Sequence, residues 1–395
     1  MTAHKSKLEQ LIDELCPEGV ERKTLGEIAT IINGRAFKID ELLKKGKYRV
    51  LRVGNFFSNN EWYYSDLELE DDKYCSNGDL LFAWSASFGA KIWDKEKTIY
   101  HYHIWKIVND DSIHKKFLFY LLDLISKTIK EENGHGSTMI HVTKSKFEKI
   151  RIPIPPLPIQ QEIVKILDTF TTLEAELEAE LEARKKQYAY YREELLTPIM
   201  VNGKWLMNNE EVEWKTIKEI SEVYTGGEPP INCTKGSIPD EENKYPIYGN
   251  GIEVYGFAKG YKIDKDAVTI SSIGANTGAI YFRKAYFTPI IRLKVLIPKN
   301  ENLLVRFLYH YLSSIKIGSK KSSVPNMNAN DVKKVKIPIP PIAEQKRIVN
   351  ILDKLDALVN DISSGLPAEI SARRKQYEYY RDKLLTFKPL EKIYE

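Results

Sequence analysis

The sequence predicts an α+β fold built from two similar mixed α/β domains, each followed by a long helix with a coiled-coil seam. Three observations predict it. Ile152-Pro153-Ile154-Pro155-Pro156 returns as Ile337-Pro338-Ile339-Pro340-Pro341, 185 residues later, and over 152–173 against 337–358, 12 of 22 positions are identical. The block Ala183 to Thr197 (ARKKQYAYYREELLT) returns as Ala372 to Thr386 (ARRKQYEYYRDKLLT), 189 residues later, with 11 of 15 positions identical. VERKTLGEIATIING from Val20 matches VEWKTIKEISEVYTG from Val212, 192 residues on, so the duplication includes the domain before each helix. A repeat of this size fixes the architecture before any single element does.

The elements follow in order. Residues 1–15 read as a short polar amphipathic helix. Tyr48 to Val53 and Asp79 to Trp84 read as strands bounded by Gly and Asn, and Ile99 to Val108 as one strand rich in aromatic and β-branched residues. Lys115 to Lys130 reads as a buried helix, and the polar loop Asn133 to Thr138 follows it. The second domain repeats the order, with strands at Val268 to Ser271 and Ile290 to Leu296 and a helix at Leu303 to Ser314. Each Ile-Pro-Ile-Pro-Pro run is expected to donate no ladder hydrogen bonds and to act as a stiff extended hinge. The chain therefore divides into a first domain over 1–150, a hinge and long helix over 151–200, a second domain over 201–336, and a second hinge and helix over 337–395.

In the first helix, apolar residues at Ile163, Leu167, Phe170, Leu177, Leu181, Tyr188, Tyr191 and Leu195 alternate near three and four, the spacing of a coiled-coil seam. Ile348, Leu352, Leu355, Val359, Ile362, Leu366, Ile370, Tyr377, Tyr380 and Leu384 do the same in the second. Two such helices in one chain most simply pack on each other. The first carries Glu-Ala-Glu-Leu twice over 174–181. The second is longer by four residues (189 − 185) and contains Ser363-Ser364-Gly365-Leu366-Pro367, which predicts a kink or break.

Bulk properties limit the function. The net charge of +4 over 395 residues is mildly basic, so nucleic-acid binding must rest on local patches. Three isolated cysteines, Cys16, Cys75 and Cys233, give neither a disulfide framework nor a CxxC pair and suit reduced thiols in a cytoplasmic protein. No apolar run approaches the ~18 residues of a membrane span. There is no phosphate loop of the GxxxxGK[ST] type and no GxGxxG. His101 and His103 are expected to alternate in a strand as satisfied histidines. Asp240 with Glu242 and Lys244 faintly resembles a nuclease set, but the spacing is too tight for metal-binding carboxylates on separate strands.

The positive signal is loop cations beside amide and hydroxyl groups, the chemistry of groove contact. Candidates in the first domain are Arg35, Lys38, Arg52, Asn55, Ser85, Ser137, Thr138 and Lys144; in the second they are Tyr248, Asn250, Asn276, Thr277, Lys320, Lys321, Ser322 and Ser323. Five glutamates between 174 and 182 would repel phosphates, so the middle of the first helix should act as a spacer.

The doubled IP[IL]PP…Q…IVxILD pattern, the RKKQYxYYRxxLL helix end and the YGNG…GANTGAIY run at 248–281 together resemble the DNA sequence-specificity subunit of type I restriction-modification enzymes over nearly the whole chain. The resemblance implies two target-recognition domains related by a pseudo-twofold axis, separated by two long antiparallel coiled-coil helices, each domain reading one part of a split site. It implies two modification subunits that carry S-adenosylmethionine and clamp onto the helices, and two restriction subunits that use ATP and Mg. This chain itself would hold no cofactor and catalyse nothing. Ile163, Leu167, Tyr188, Tyr191, Ile348, Leu352, Tyr377 and Tyr380 are the seam and subunit-interface candidates. A self-sufficient restriction nuclease and a coiled-coil scaffold that binds no nucleic acid remain as alternatives.

Overall fold

The structure, a computed structural model, describes residues 5–85, 87–133, 142–274, 276–315 and 327–390. It divides into two units, the first drawn from two stretches of chain, Met1–Glu176 with Ser371–Glu395, and the second from one, Leu177–Ile370. Within the first unit, a four-stranded antiparallel sheet runs in the order Ala29–Asn33, Ile104–Asn109, Leu80–Ser85, Ser87–Ile92. A second sheet runs Tyr63–Ser65, Tyr48–Leu51, Thr98–Tyr100, Tyr74–Cys75, with its two central strands parallel. The second unit repeats the first sheet as Ser221–Thr225, Lys294–Pro298, Ala267–Ile270, Ile280–Arg283. Its other sheet runs Thr234–Lys235, Val254–Ala258, Tyr245–Tyr248, Thr288–Pro289 and keeps one parallel pair. Two similar mixed α/β units are thus repeated along the chain. Among the described residues no helix is long and apolar enough to cross a membrane.

The same local devices recur. Thr24 with Glu27 and Thr216 with Glu219 form capping boxes at equivalent short helices. The Ile-Pro run, expected as a hinge outside any ladder, is a strand in both units. Arg151–Pro153 pairs antiparallel with Arg22–Thr24, and Lys336–Ile339 with Glu213–Thr216. Only the prolines lack N–H groups; Ile154 N–H donates to the Glu21 carbonyl at 2.9 Å, and a two-stranded edge tolerates the missing donors. Ile99 to Val108 is likewise not one strand. It breaks at 101–103, where the chain passes from the second sheet to the first. The strand expected from Ile290 begins at Lys294, because Ile291 and Arg292 adopt φ of 53° and 57°, outside strand geometry.

The first long helix spans Leu157–Leu196, 40 residues and hence about 60 Å. Its start is fastened by Gln160, which is fully buried: its amide oxygen accepts from His114 N–H (2.7 Å), and its Nε2 donates to the Pro155 (2.7 Å) and Ser112 (3.0 Å) carbonyls. Gln345 does the same work in the second unit, accepting from Leu304 N–H (2.9 Å) and donating to Asn302 (2.8 Å) and Pro340 (2.9 Å). Replacing either by Leu strands three backbone groups away from water, so a loss of about 1–3 kcal/mol is expected. Faster amide exchange at His114 or Leu304, in the unit carrying the change only, checks it.

Ile163 and Leu167 enter the core of the first unit with Leu25, Phe82, Trp105, Phe117 and Phe147; Ile348 and Leu352 enter that of the second with Ile217, Val268, Leu296 and Phe307. Their burial is against domain residues, not a helix-only seam. Helix-on-helix contact occurs further along. In the first unit Phe170 stacks on Tyr380 (5.6 Å) and approaches Tyr377 (6.4 Å), while Glu174 pairs with Arg374, an antiparallel sequence of contacts. In the second unit Tyr188 is buried beside Asp356. Tyr191, an expected seam residue, is 37% exposed and touches Tyr190.

The second helix is broken, as its Gly-Pro insertion predicts: Ile342–Asn360 ends, and Leu366–Leu384 begins anew. Asp361 accepts from Ser363 N–H (2.7 Å) and from both serine hydroxyls (2.6 Å each), which hold its carboxyl down at about 2. Only glycine fits at 365, where a Cβ would lie 2.4 Å from the Ala357 carbonyl oxygen. Ile362, another expected seam residue, lies in this turn and is exposed.

Candidate nucleic-acid interface

In the first unit the passage between sheets is held rigidly. A Cβ at Gly34 would sit 2.4 Å from the carbonyl oxygens of both Tyr100 and His101, so the two stretches can meet only at glycine. Arg35 N–H then donates to Tyr100 O (3.0 Å), Tyr102 N–H to Arg35 O (3.0 Å), and His101 N–H to Leu51 O (2.9 Å). Trp84 Nε1 donates to Tyr102 O (2.9 Å), and its ring stacks on the buried Trp105 at 5.3 Å. The turn so fixed presents His101 and His103, ring centroids 5.0 Å apart. Burial first, then His103 and Arg52, push the His101 imidazole down to about 4, so it is neutral near pH 7.

These histidines help line a cleft of about 320 Å³. Arg52, Asn55, Asn59, Glu61 and Tyr63 line it with them, and Arg52 is a near charge to His101. Arg52 lies 5.3 Å above the Tyr63 ring. Around the cleft, Lys91 caps Phe56 (5.3 Å) and donates to its carbonyl (2.6 Å), while Arg49 and Lys95 both face Trp62 (5.5 and 5.6 Å). Burial lowers the Lys91 pKa. Arg49 has Glu96 at 3.2 Å and Lys97 has Asp71 at 3.0 Å. Arg52, Lys91 and Lys95 have no carboxylate oxygen within 4 Å among the described residues, so their charge remains open to an outside anion or acceptor.

The second unit builds the same place from other residues. Gly226 stands where Gly34 does; its Cβ would lie 2.8 Å from Ile290 N and O, and Gly227 bridges Ile290 as Arg35 bridges His101. Here the corner is a closed polar network. Asn250 donates to Ile291 O (2.6 Å) and accepts from Ser272 N–H (2.7 Å), Ser272 Oγ donates to Arg292 O (2.7 Å), and Ser271 Oγ to Asn250 O (2.6 Å). Arg283 is buried with its guanidinium 3.8 Å from the Tyr248 ring centre and bonded to the Gly251 (2.8 Å) and Ile252 (2.9 Å) carbonyls. Lys294 occupies the ladder position of Trp105: it faces Thr225 as Trp105 faces Asn33. It is 5% exposed, and burial, then Arg292, lowers its pKa.

The residues singled out from sequence scatter accordingly. Arg52 lines the cleft. Asn55 lines it too, but its Nδ2 is engaged by Asn59 O (3.0 Å) and Glu61 O (2.7 Å), so it shapes the loop. Arg35 is paired with Glu41 (2.6 Å) and lies 5.5 Å from the Phe37 ring centre. Lys38 and Asn276 are exposed, and Lys144 approaches Glu148 at 3.6 Å. Ser85 is buried at the Leu80–Ser85/Ser87–Ile92 turn and presents no surface to a groove. Tyr248 and Asn250 are internal supports, and Thr277 Oγ1 donates to Gly274 O (2.7 Å) within a turn. Ser137, Thr138, Lys320, Lys321, Ser322 and Ser323 lie outside the described residues. Asp240, the nuclease candidate, caps a turn: bonds from Thr234 and Asn243 hold its carboxyl at about 2. Sequence reading missed Asn59, Glu61, Tyr63, Lys91, Lys95 and Arg292. It also placed His101 and His103 in a strand; the chain turns there because His101 to Tyr102 bond across to Leu51 and Arg35.

Comparison with known proteins agrees with the duplication. A profile of the type I restriction modification DNA specificity domain matches residues 17–183 and again 209–372. The chain is 38% identical over 312 residues to the type I restriction enzyme EcoR124I/EcoR124II specificity subunit of Escherichia coli, covering 71% of this chain and 72% of that one. It is 31% identical over 407 residues to a Haemophilus influenzae protein named as a type I restriction enzyme specificity subunit, covering 98% and 100%. The S subunit of a type I restriction-modification system from M. genitalium shares the fold, with a TM-score of 0.62 at 19% identity over 92% of this chain and 96% of that one. With two matched domains filling most of its length, the chain belongs to the type I restriction-modification DNA specificity family.

Proposed function

We propose that this chain is the DNA sequence-specificity subunit of a type I restriction-modification complex. It reads a split DNA site, one half with each unit, and carries methyltransferase and restriction subunits while performing no chemistry itself. The observation that supports this most is one scaffold carrying two different surfaces. The glycine approach, the parallel bridge and the buried glutamine are kept in both units, whereas the corner beside them is an open cleft with Arg52 in one and a closed Asn250 network in the other. A duplicated reader of two unlike half-sites needs that combination.

S-adenosylmethionine would then be held by the modification partner, and ATP with Mg by the restriction partner. The three cysteines are free thiols, which suits a cytoplasmic complex acting on DNA. Adenine methylation mapped genome-wide with and without the gene tests the reading: a bipartite motif should vanish with the gene, and an unchanged methylome rejects it. Exchanging residues 20–150 for the corresponding domain of another family member should alter one half-site and leave the other and the gap as they are. Both half-sites changing together would show that the units do not read independently.

A further inference from the structure

The geometry points to the cleft of the first unit as the reader of one G·C base pair in the first half-site, Arg52 donating to guanine O6 and N7 and Glu61 accepting from the cytosine N4 amino group. This rests on the specificity-subunit reading and assigns it a base pair and two residues.

Three observations carry it. Arg52 and Glu61 line the same cleft, yet no ion pair joins them and neither has another charged partner among the described residues. Opposite charges left apart in one small cleft each await an outside group. The second observation is the carboxylate. On a surface facing DNA it is repelled by phosphates, so it is useful only against an exposed amino donor, and the major-groove edge of cytosine offers one beside the two acceptors of guanine. A phosphate in this cleft would meet the Glu61 carboxylate as well as Arg52, whereas the unpaired cations Lys91 and Lys95 lie outside its lining, on Phe56 and Trp62.

The third is rigidity. Tyr63 lies beneath the Arg52 guanidinium at 5.3 Å, Asn55 ties the carbonyls of Asn59 and Glu61, and Asn59 Oδ1 accepts from Glu61 N–H at 2.7 Å. The turn that carries His101 and His103 is fastened by Gly34, Arg35 and Trp84. The backbone that carries both charged side chains is thus held before binding, which lowers the cost of discriminating between base pairs. The same corner of the second unit offers no carboxylate in its Asn250–Ser272–Arg292 network, as expected of a reader for a different sequence.

The experiment uses the full chain with its modification partners in a host whose methylome is mapped, comparing Arg52→Ala, Arg52→Lys and Glu61→Gln with the unaltered chain. All three should relax one and the same G·C position of the first half-site by roughly 5- to 150-fold, with the second half-site and the gap retained. Retention of the second half-site reports a folded, assembled complex, and Arg52→Lys keeps the charge while removing the bidentate fork. In binding measurements the salt slope should not change. A first half-site that stays fully specified, or contains no G·C pair, overturns the assignment; so does uniform weakening with a slope shallower by about one, the mark of a phosphate contact. If the unaltered chain directs no bipartite methylation, the specificity-subunit reading fails as well; if it does and the variants match it, only this assignment fails.

Discussion

Deleting Glu174 to Leu177 shortens the recognised gap by about one or two base pairs and leaves both half-sites unchanged. Four helical residues advance about 6 Å, and duplex DNA rises about 3.4 Å per base pair. The helix Leu157–Leu196 passes from the first unit to the second between Glu176 and Leu177, inside the deleted segment. The deletion spares the buried side chains that fasten the helix to a core: Ile159, Gln160, Ile163, Val164 and Leu167 in one unit, Tyr188, Leu195 and Leu196 in the other. It also heals its own joint. Glu178-Ala179-Glu180-Leu181 repeats the lost Glu-Ala-Glu-Leu, so a glutamate again follows Leu173 and can meet Arg374. On the return segment the turn at 361–365 offers a non-helical stretch where the change can be taken up. The native site should be lost and a shorter-gapped one gained, with equal numbers of specified bases. Methylation mapping of the variant decides it: the original gap, still methylated, would mean that the helix does not set the spacing.

Much of this architecture was legible in the sequence because duplication preserves what packing demands twice. The glutamine after each Ile-Pro run, the long helix, its Glu-Ala-Glu-Leu spacer and the Gly365 break can all be found by aligning the chain with itself. What escaped depends on contacts distant in sequence. Ile99 to Val108 is mostly aromatic and β-branched, so its composition does not mark where it leaves one sheet for another; the signal is Gly34, 67 residues earlier than His101, which admits the crossing strand. The prolines of the hinge concealed isoleucines that still donate. Among site residues, a polar side chain such as Asn55 or Asn250 reads from sequence as open to DNA, yet its hydrogen bonds are already made inside the fold. Glu61 was missed for the converse reason: a carboxylate looks wrong for DNA until it is seen sharing a cleft with an unpaired arginine.

Asp353→Ala should cost the second unit about 3 kcal/mol, the lower end of what removing one member of a buried charge cluster costs, because Asp353 itself stays 36% exposed and partly screened. One oxygen, Oδ1, accepts from Arg306 Nε (3.0 Å) and Nη2 (2.6 Å) and meets His310 Nε2 at 2.6 Å. It thereby pins the helix Val305–Ser314 to Ile342–Asn360, as Asp168 pins the first unit through Lys116 (2.6 Å) and Tyr120 (2.7 Å). The His310 side chain is fully buried and its Nδ1 already lacks a partner, so truncation strands the whole ring; among carboxylates of the described residues Arg306 keeps Asp356, at 3.6 Å, besides the Phe282 and Tyr309 rings. Burial alone would raise the Asp353 carboxyl, but the bonds from His310 and Arg306 more than offset it and hold the pKa below the ordinary value. A carboxyl depressed on folding stabilises fully above its unfolded pKa of about 3.9 and loses that contribution as pH falls through the lower folded value. The difference in unfolding free energy between the natural chain and Asp353→Ala should therefore be flat from neutral pH to about 5 and close below about 4. A double-mutant cycle with Arg306→Ala, read by urea unfolding at several pH values, separates the pair from its surroundings. A coupling under about 0.5 kcal/mol would leave Asp353 an ordinary surface carboxylate, and a difference that does not close in acid would assign its stabilisation to packing instead of charge.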